Sequence, residues 1–139
     1  MNKIVLCLIG TLIFATGAQA YELQRDMDNL AEDVSDCVAH FTIISVQASS
    51  YAETQKSKEW ADIEARYRVS AENAIALLRV TMTGRPEKFM QAKIDLHMQQ
   101  QIKILKSEGT DRLMVLHADS CKELLENPQE RLKYWTDKE

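Results

Sequence analysis

The feature that most constrains the fold is an unbroken apolar stripe in the first third of the chain. Apolar side chains recur there at alternating steps of four and three positions: Leu23, Met27, Leu30, Val34, Cys37, Phe41, Ile44, Ala48 and Tyr51. These steps place every member on one face of an α-helix. Val38, Ile43 and Val46 widen the stripe, which indicates more than one neighbouring element. Continuing the register would add the polar Gln55 and Lys58, so we predict that this long helix ends within AETQKSK, residues 52–58.

Three further segments carry the same spacing. Helices are predicted over residues 57–83, 86–108 and 110–127. The glycines and prolines beyond residue 20 all lie at the breaks, as expected of residues that end or begin helices: Gly84, Pro86, Gly109 and Pro128. Pro128 then opens a short last helix whose Leu132 and Trp135 can dock on the rest.

The fold class follows from these helices and their short connections. No segment alternates with a period of two for long enough to form a strand. We predict an all-α, up-and-down four-helix bundle with a short fifth C-terminal helix. In that topology the first and fourth helices are antiparallel neighbours.

The N-terminal residues have the anatomy of a cleavable secretory signal. Lys3 precedes about thirteen mostly apolar residues, and Ala18-Gln19-Ala20 supplies a small-x-small cleavage site. We expect residues 1–20 to be removed and residues 21–139 to form a single helical-bundle domain. The expected location is the periplasm or the extracellular medium, without membrane insertion after cleavage.

The charge balance restricts the partners. Residues 1–20 contain Lys3 and no acidic group, so 17 − 1 = 16 basic groups face 21 acidic groups in the mature chain. Nucleic acids and anionic lipids are bound through concentrated positive charge. An acidic chain without a basic cluster disfavours both, and it could complement a basic protein partner.

The cysteines predict a covalent link between two helices. Loss of the signal removes Cys7 and leaves Cys37 and Cys121, and an exported protein enters an oxidising compartment. We predict a disulfide between Cys37 and Cys121, joining helix one to helix four. It would close 121 − 37 = 84 residues of chain.

Two histidines accompany these cysteines, in CVAH at His40 and LHADSC at His117. Antiparallel pairing that brings Cys37 to Cys121 also brings His40 to the level of His117. Reduced thiols would allow a Cys2His2 zinc site, and a formed disulfide would leave His40 and His117 as a titrating pair or a loose metal site. The register places His40 beside the seam, where we expect partial solvation.

Other polar residues offer little support to a site. Asp36 is expected to be aimed partly away from the two histidines, and His97 to be a flanking, surface or half-buried residue. The many carboxylates are expected to form solvated helix faces. Since no nucleophile, phosphate-binding or metalloprotease motif is present, we do not expect an enzyme.

The stretch YELQRDMDNLAEDV is similar to the first helix of exported b-type cytochrome bundles through Leu23, Met27 and Leu30. The resemblance implies haem held by Met27 and a histidine of the last helix. Pairing Cys37 with Cys121 would place His117 roughly 20 Å along the axis from Met27, at about 1.5 Å per residue. One iron cannot reach both, so we expect no haem and no other cofactor.

The remaining hypothesis is an exported, non-enzymatic protein that acts by binding another protein, such as an envelope accessory factor or an inhibitor or immunity-type protein. Aromatic side chains are the candidate interface, although they could equally cap the bundle ends: Trp60, Tyr67, Tyr134 and Trp135. The long apolar stripe also permits a homodimer. The alternative function is binding of a small ligand or metal by His40 and His117.

Overall fold

The computed structural model describes residues 17–138, and every regular element in that part of the chain is an α-helix. The helices are α1 (Gly17–Gln55), α2 (Lys58–Thr81), α3 (Glu87–Glu108), α4 (Thr110–Glu126) and α5 (Pro128–Asp137). The predicted all-α class and the short fifth helix are therefore confirmed. Most of the predicted signal, residues 1–16, lies outside the described residues.

The helices end at the predicted breaks. After α1, Lys56 adopts a left-handed φ of 48°, and the Ser57 side chain accepts a hydrogen bond from Trp60 N at the start of α2. Gly84 and Gly109, with φ of 83° and 87°, occupy the next two turns. This left-handed region favours glycine because a Cβ atom would be strained there.

The helices run up and down around α1. Contacts of Tyr51 with Trp60 and of Phe41 with Tyr67 show that α2 is antiparallel to α1. Glu32 pairs with Lys93 and Asp36 with Gln101, so α3 runs parallel to α1. Three contacts that descend along α1 show that α4 and α5 are antiparallel to it: Ile44 with Leu113, Cys37 with Cys121, and Asp26 with Thr136.

Helix α1 is the centre of the bundle, and each of the other four helices packs against it. Its stripe is buried at the core, with Leu30, Val34, Ile44 and Ala48 almost inaccessible. Val38 and Ile43 are buried as expected, but Val46 is 61% exposed, contrary to the prediction. Leu113 packs at the level of Ile43, and α4 begins three residues before it, so little of α4 reaches Val46.

Helices α2 and α4 lie on either side of α1 and approach each other sparsely, which leaves a groove between them. Within residues 17–138, no helix is both long and apolar enough to cross a membrane.

Candidate functional site

The predicted disulfide is present. The Cys37 and Cys121 sulfur atoms are 2.08 Å apart, their Cα atoms 5.3 Å apart, and both residues are buried in the main apolar cluster. The bond ties α1 to α4 at mid-bundle. It also rules out the thiolate zinc site in this structure, because neither sulfur is free to bind a metal.

A carboxylate lies at the centre of the polar contacts beside this bond. Asp36 Oδ2 lies 2.9 Å from His117 Nδ1, and Asp36 Oδ1 lies 3.2 Å from His97 Nδ1. The second is a close contact without the angle of a hydrogen bond. The expectation that Asp36 is aimed away from the histidines is therefore wrong. The two partners belong to α4 and α3, so this carboxylate joins three helices.

Further contacts fix Asp36 and extend the network along α3. Gln101 Nε2 donates to the backbone oxygen of Asp36 at 2.8 Å and to its Oδ1 at 2.7 Å. His97 Nε2 lies 3.0 Å from Glu32 Oε2, and Lys93 also donates to Glu32. Burial acts to raise the pKa of Asp36, but the interactions of its carboxylate with His117, His97 and Gln101 outweigh it and hold that pKa well below its usual range. Asp36 is therefore an anion at neutral pH.

His40 lies on the apolar side of this network and is 0% exposed. The expectation of partial solvation is wrong, because α2 and α4 cover the position beside the seam. Its ring contacts Phe41, Tyr67 and His117 with centroid distances of 5.5, 5.9 and 5.4 Å. Neither ring nitrogen has a hydrogen-bond partner. Burial, assisted by the charge of His117 and partly opposed by Asp36, lowers the pKa of His40 to about 4.

The structure thus brings His40 and His117 together, as predicted, without assembling a metal centre around them. His117 Nδ1 is engaged by Asp36, and His117 Nε2 has no partner. No group of three or more His, Cys, Asp or Glu residues in the described part of the chain is placed to hold a metal ion. Two imidazoles alone make a weak site.

Several carboxylates of α1 bind side chains of other helices, although we expected the carboxylates to form solvated helix faces. Asp33 accepts from Arg131 Nε and Trp135 Nε1, each at 2.7 Å, and Asp26 accepts from Thr136 at 3.1 Å. The spacing of the charged residues in the sequence could have indicated the contacts between α1 and α3. Acidic residues four apart on α1 face basic or amide residues four apart on α3: Glu32 and Asp36, against Lys93, His97 and Gln101.

The groove between α2 and α4 has a volume of about 590 Å³ and a mainly apolar lining. Its apolar lining is Phe41, Ile63, Tyr67, Met114, Ala118 and Leu125, and its charged rim is Arg66, Asp119, Lys122 and Glu126. Phe41 and Tyr67 pack edge to face at 5.9 Å and also contact His40. The groove and the histidine cluster therefore share a wall.

A second cleft of about 580 Å³ lies between α1, α4 and α5 and is lined by carboxylates. Two of its acids are already engaged, since Asp33 binds Arg131 and Asp36 binds His117. It therefore presents fewer free groups to a ligand than its composition suggests.

The four candidate interface aromatics lie in three places, because only Tyr134 and Trp135 are in contact, with ring centroids 5.1 Å apart. Trp60 packs on Tyr51 at the α1–α2 turn, Tyr67 lies in the groove wall, and Trp135 is held by Asp33. Tyr134 is half exposed, with the Arg131 guanidinium 4.6 Å from its ring centroid. They do not form one patch, so an interface including all four is not supported by the geometry.

In comparisons with known proteins, no family model, no curated protein and no solved structure matches the chain.

Proposed function

We propose that this chain is an exported, non-enzymatic helical protein that binds another protein, as an envelope accessory factor or an inhibitor or immunity-type protein does. The observation that carries the proposal is the groove between α2 and α4. It combines an aromatic and aliphatic floor with charges along both edges. An amphipathic helix or extended segment of a partner could bury its apolar face there, as in other helix-in-groove complexes.

The α4 edge favours this use of the groove. Val115 is 75% exposed and precedes Asp119 and Lys122 by four and seven residues, so it lies on the same helix face as the charged rim. Ala118 has a small side chain, so it leaves the floor of the groove open beside these residues. Contact with a partner would remove the Val115 side chain from water, which favours association.

Two observations support export. The Cys37–Cys121 disulfide is of a kind that persists in oxidising compartments, and residues 1–20 have the pattern of a secretory signal. N-terminal sequencing of the protein recovered from the cell envelope tests this part. We expect the chain to begin at Tyr21; an intact Met1 on protein retained in the cytoplasm would contradict export.

Site-specific photocrosslinking tests the binding surface. A photoreactive residue at position 115 should give a defined adduct with a partner. The same residue at position 96, where Leu96 of α3 is 51% exposed, is the matched control and should give none. Ala118→Arg, which places a bulky cation in the groove, should abolish the adduct. Equal adducts at both positions, or an adduct insensitive to Ala118→Arg, would contradict the proposal.

The same experiment distinguishes a homodimer from a different partner. An adduct with twice the mass of the chain, together with a dimeric mass by light scattering, would make a second copy the occupant of the groove.

A second candidate function is binding of a metal or small ligand by His40 and His117. The observation that favours it is the absence of hydrogen-bond partners on both His40 ring nitrogens and on His117 Nε2. Elemental analysis of the purified protein tests it. A stoichiometric metal that is lost in His40→Gln would replace the protein-binding proposal, whereas metal-free protein leaves the groove as the site.

A further inference from the structure

The histidines of this chain differ in whether a carboxylate lies close enough to balance a positive charge on the ring. His97 lies within 3.2 Å of both Glu32 and Asp36, and His117 lies 2.9 Å from Asp36. His40 has no acceptor at either ring nitrogen and no exposure to water. His97 and His117 therefore have carboxylates beside them, whereas a proton on His40 would put an unpaired charge in the core.

The helices around His40 are also held differently. The disulfide fixes α4, and the contacts of Lys93, His97 and Gln101 with α1 fix α3. Helix α2 packs on α1 through apolar side chains. Within residues 17–138, the polar contact found between α2 and another helix is the exposed pair Arg79–Glu87, at 4.0 Å and near the far end of α2.

We propose that His40 is an acid-sensitive latch. When it is protonated, α2 moves away from α1 and α4 at the level of Tyr67 and widens the α2–α4 groove, while α3 and α4 stay attached to α1. The latch is a property of the packing around His40. It does not depend on the proposed partner.

The groups that face His40 from each element determine the direction of opening. On α1, Asp36 lies one turn away but is already bound by His117 and Gln101. His117 of α4 and, behind it, His97 of α3 add positive charge when protonated. On α2, Tyr67 is the neighbour, with Arg66 beside it on the groove rim. None of these groups is a free anion that could pair with the new charge, and the groove past Tyr67 offers a path to water.

The energetic cost of charging His40 favours this route over protonation in place. An unpaired ion in an apolar site is strongly unfavourable, so the site either stays neutral or opens to water. The pKa of His40, lowered by burial to about 4, indicates that the neutral form is retained until the medium is distinctly acidic.

Amide hydrogen exchange, compared as protection factors so that the intrinsic effect of pH is removed, tests the latch. Between neutral pH and about pH 4, amides of α2 around Tyr67 should lose protection at least tenfold, while amides of α3 around His97 keep theirs. His40→Gln cannot be protonated and should abolish the loss. The matched control His97→Gln should retain it.

Equal loss of protection in α2 and α3, or the same loss in His40→Gln, would overturn the proposal. If His40→Gln does not fold, an NMR titration of the wild-type protein decides the question. The His40 ring protons should shift together with the α2 amides, at lower pH than a free histidine. Titration of His40 without any change in α2 would overturn the latch.

Discussion

The two sides of α1 are stabilised by different physics. Towards α2, the interface consists of apolar side chains buried in one cluster, with Ala71, Ala74 and Leu78 packed among α1 residues. Towards α3, α4 and α5, it adds a disulfide and a row of carboxylates that each hold a side chain of another helix. Apolar packing depends on shape and volume, whereas the second set depends on redox state and pH.

One helix can present both surfaces because its apolar and acidic residues follow separate spacings. Asp28, Glu32 and Asp36 are four residues apart and face α3; Asp26 and Asp33 are seven apart and face α5. The apolar stripe runs between these rows. A change to either surface should therefore disturb one set of helices more than the other.

The disulfide is the contact whose loss should cost most. Cys37→Ala with Cys121→Ala removes a link across 84 residues, for which the loop-entropy model gives about 4–5 kcal/mol. Urea unfolding monitored by circular dichroism measures the loss. Exchange protection should fall more in α4 than in α2. A double variant as stable as the wild type would show that packing alone holds α4 in place.

On the α2 side, the corresponding change is Leu78→Ala. Leu78 is fully buried against α1, and truncating a buried leucine costs about 3 kcal/mol through lost burial and the cavity left behind. Leu96→Ala, on the exposed face of α3, is the control and should change the free energy of unfolding by less than about 0.5 kcal/mol. Similar losses for the two variants would contradict the assignment of Leu78 to the core.

Acid should destabilise the fold through His40. Because burial lowers its folded pKa from 6.5 to about 4, the unfolded chain binds the proton more tightly than the folded one. The stabilisation is present above pH 6.5 and is lost as pH falls to about 4, by about 3 kcal/mol in total. The lowered pKa of Asp36 adds a further loss in stronger acid. Urea unfolding at several pH values measures both, and His40→Gln should flatten the dependence above pH 4.

These interfaces could be predicted from the sequence to different degrees. The α1 stripe, the Gly and Pro breaks and the cysteine pairing depend on local periodicity and on chain reversal, and all are confirmed in the structure. Antiparallel pairing also predicted that His40 meets His117. These features follow from helix geometry without knowledge of the other neighbours.

The burial of His40 and the position of Asp36 could not be predicted from the sequence, because both depend on more than two helices. A register divides α1 into a seam and its flanks, but α2, α3 and α4 surround it, so a flanking residue becomes core. The groove was also missed, since the sparse approach of α2 to α4 is a property of the assembled bundle. Sequence spacing does not encode it.

Among the carboxylates, Asp33 should contribute most after Asp36. Asp33→Ala leaves Arg131 Nε and Trp135 Nε1 without their shared acceptor, and a partly buried unpaired donor costs about 1–2 kcal/mol. The loss should appear as fraying of α5, seen as increased Trp135 fluorescence quenching by acrylamide. Asp137→Ala, an exposed residue of the same helix, is the control. Unchanged quenching would mean that α5 docks through apolar contacts alone.

The Arg85–Asp28 pair should contribute least, despite its two 2.9 Å contacts. Both side chains are more than 40% exposed, and solvent-exposed ion pairs typically contribute less than about 1 kcal/mol and weaken with salt. Arg85→Ala should therefore lower the free energy of unfolding by about 0.5 kcal/mol at low ionic strength and by almost nothing in about 1 M salt. A large loss at low ionic strength that disappears in high salt would place the strength of this face in its ion pairs. The expected small loss places it in the disulfide and in the buried contacts of Asp36, where water cannot compete.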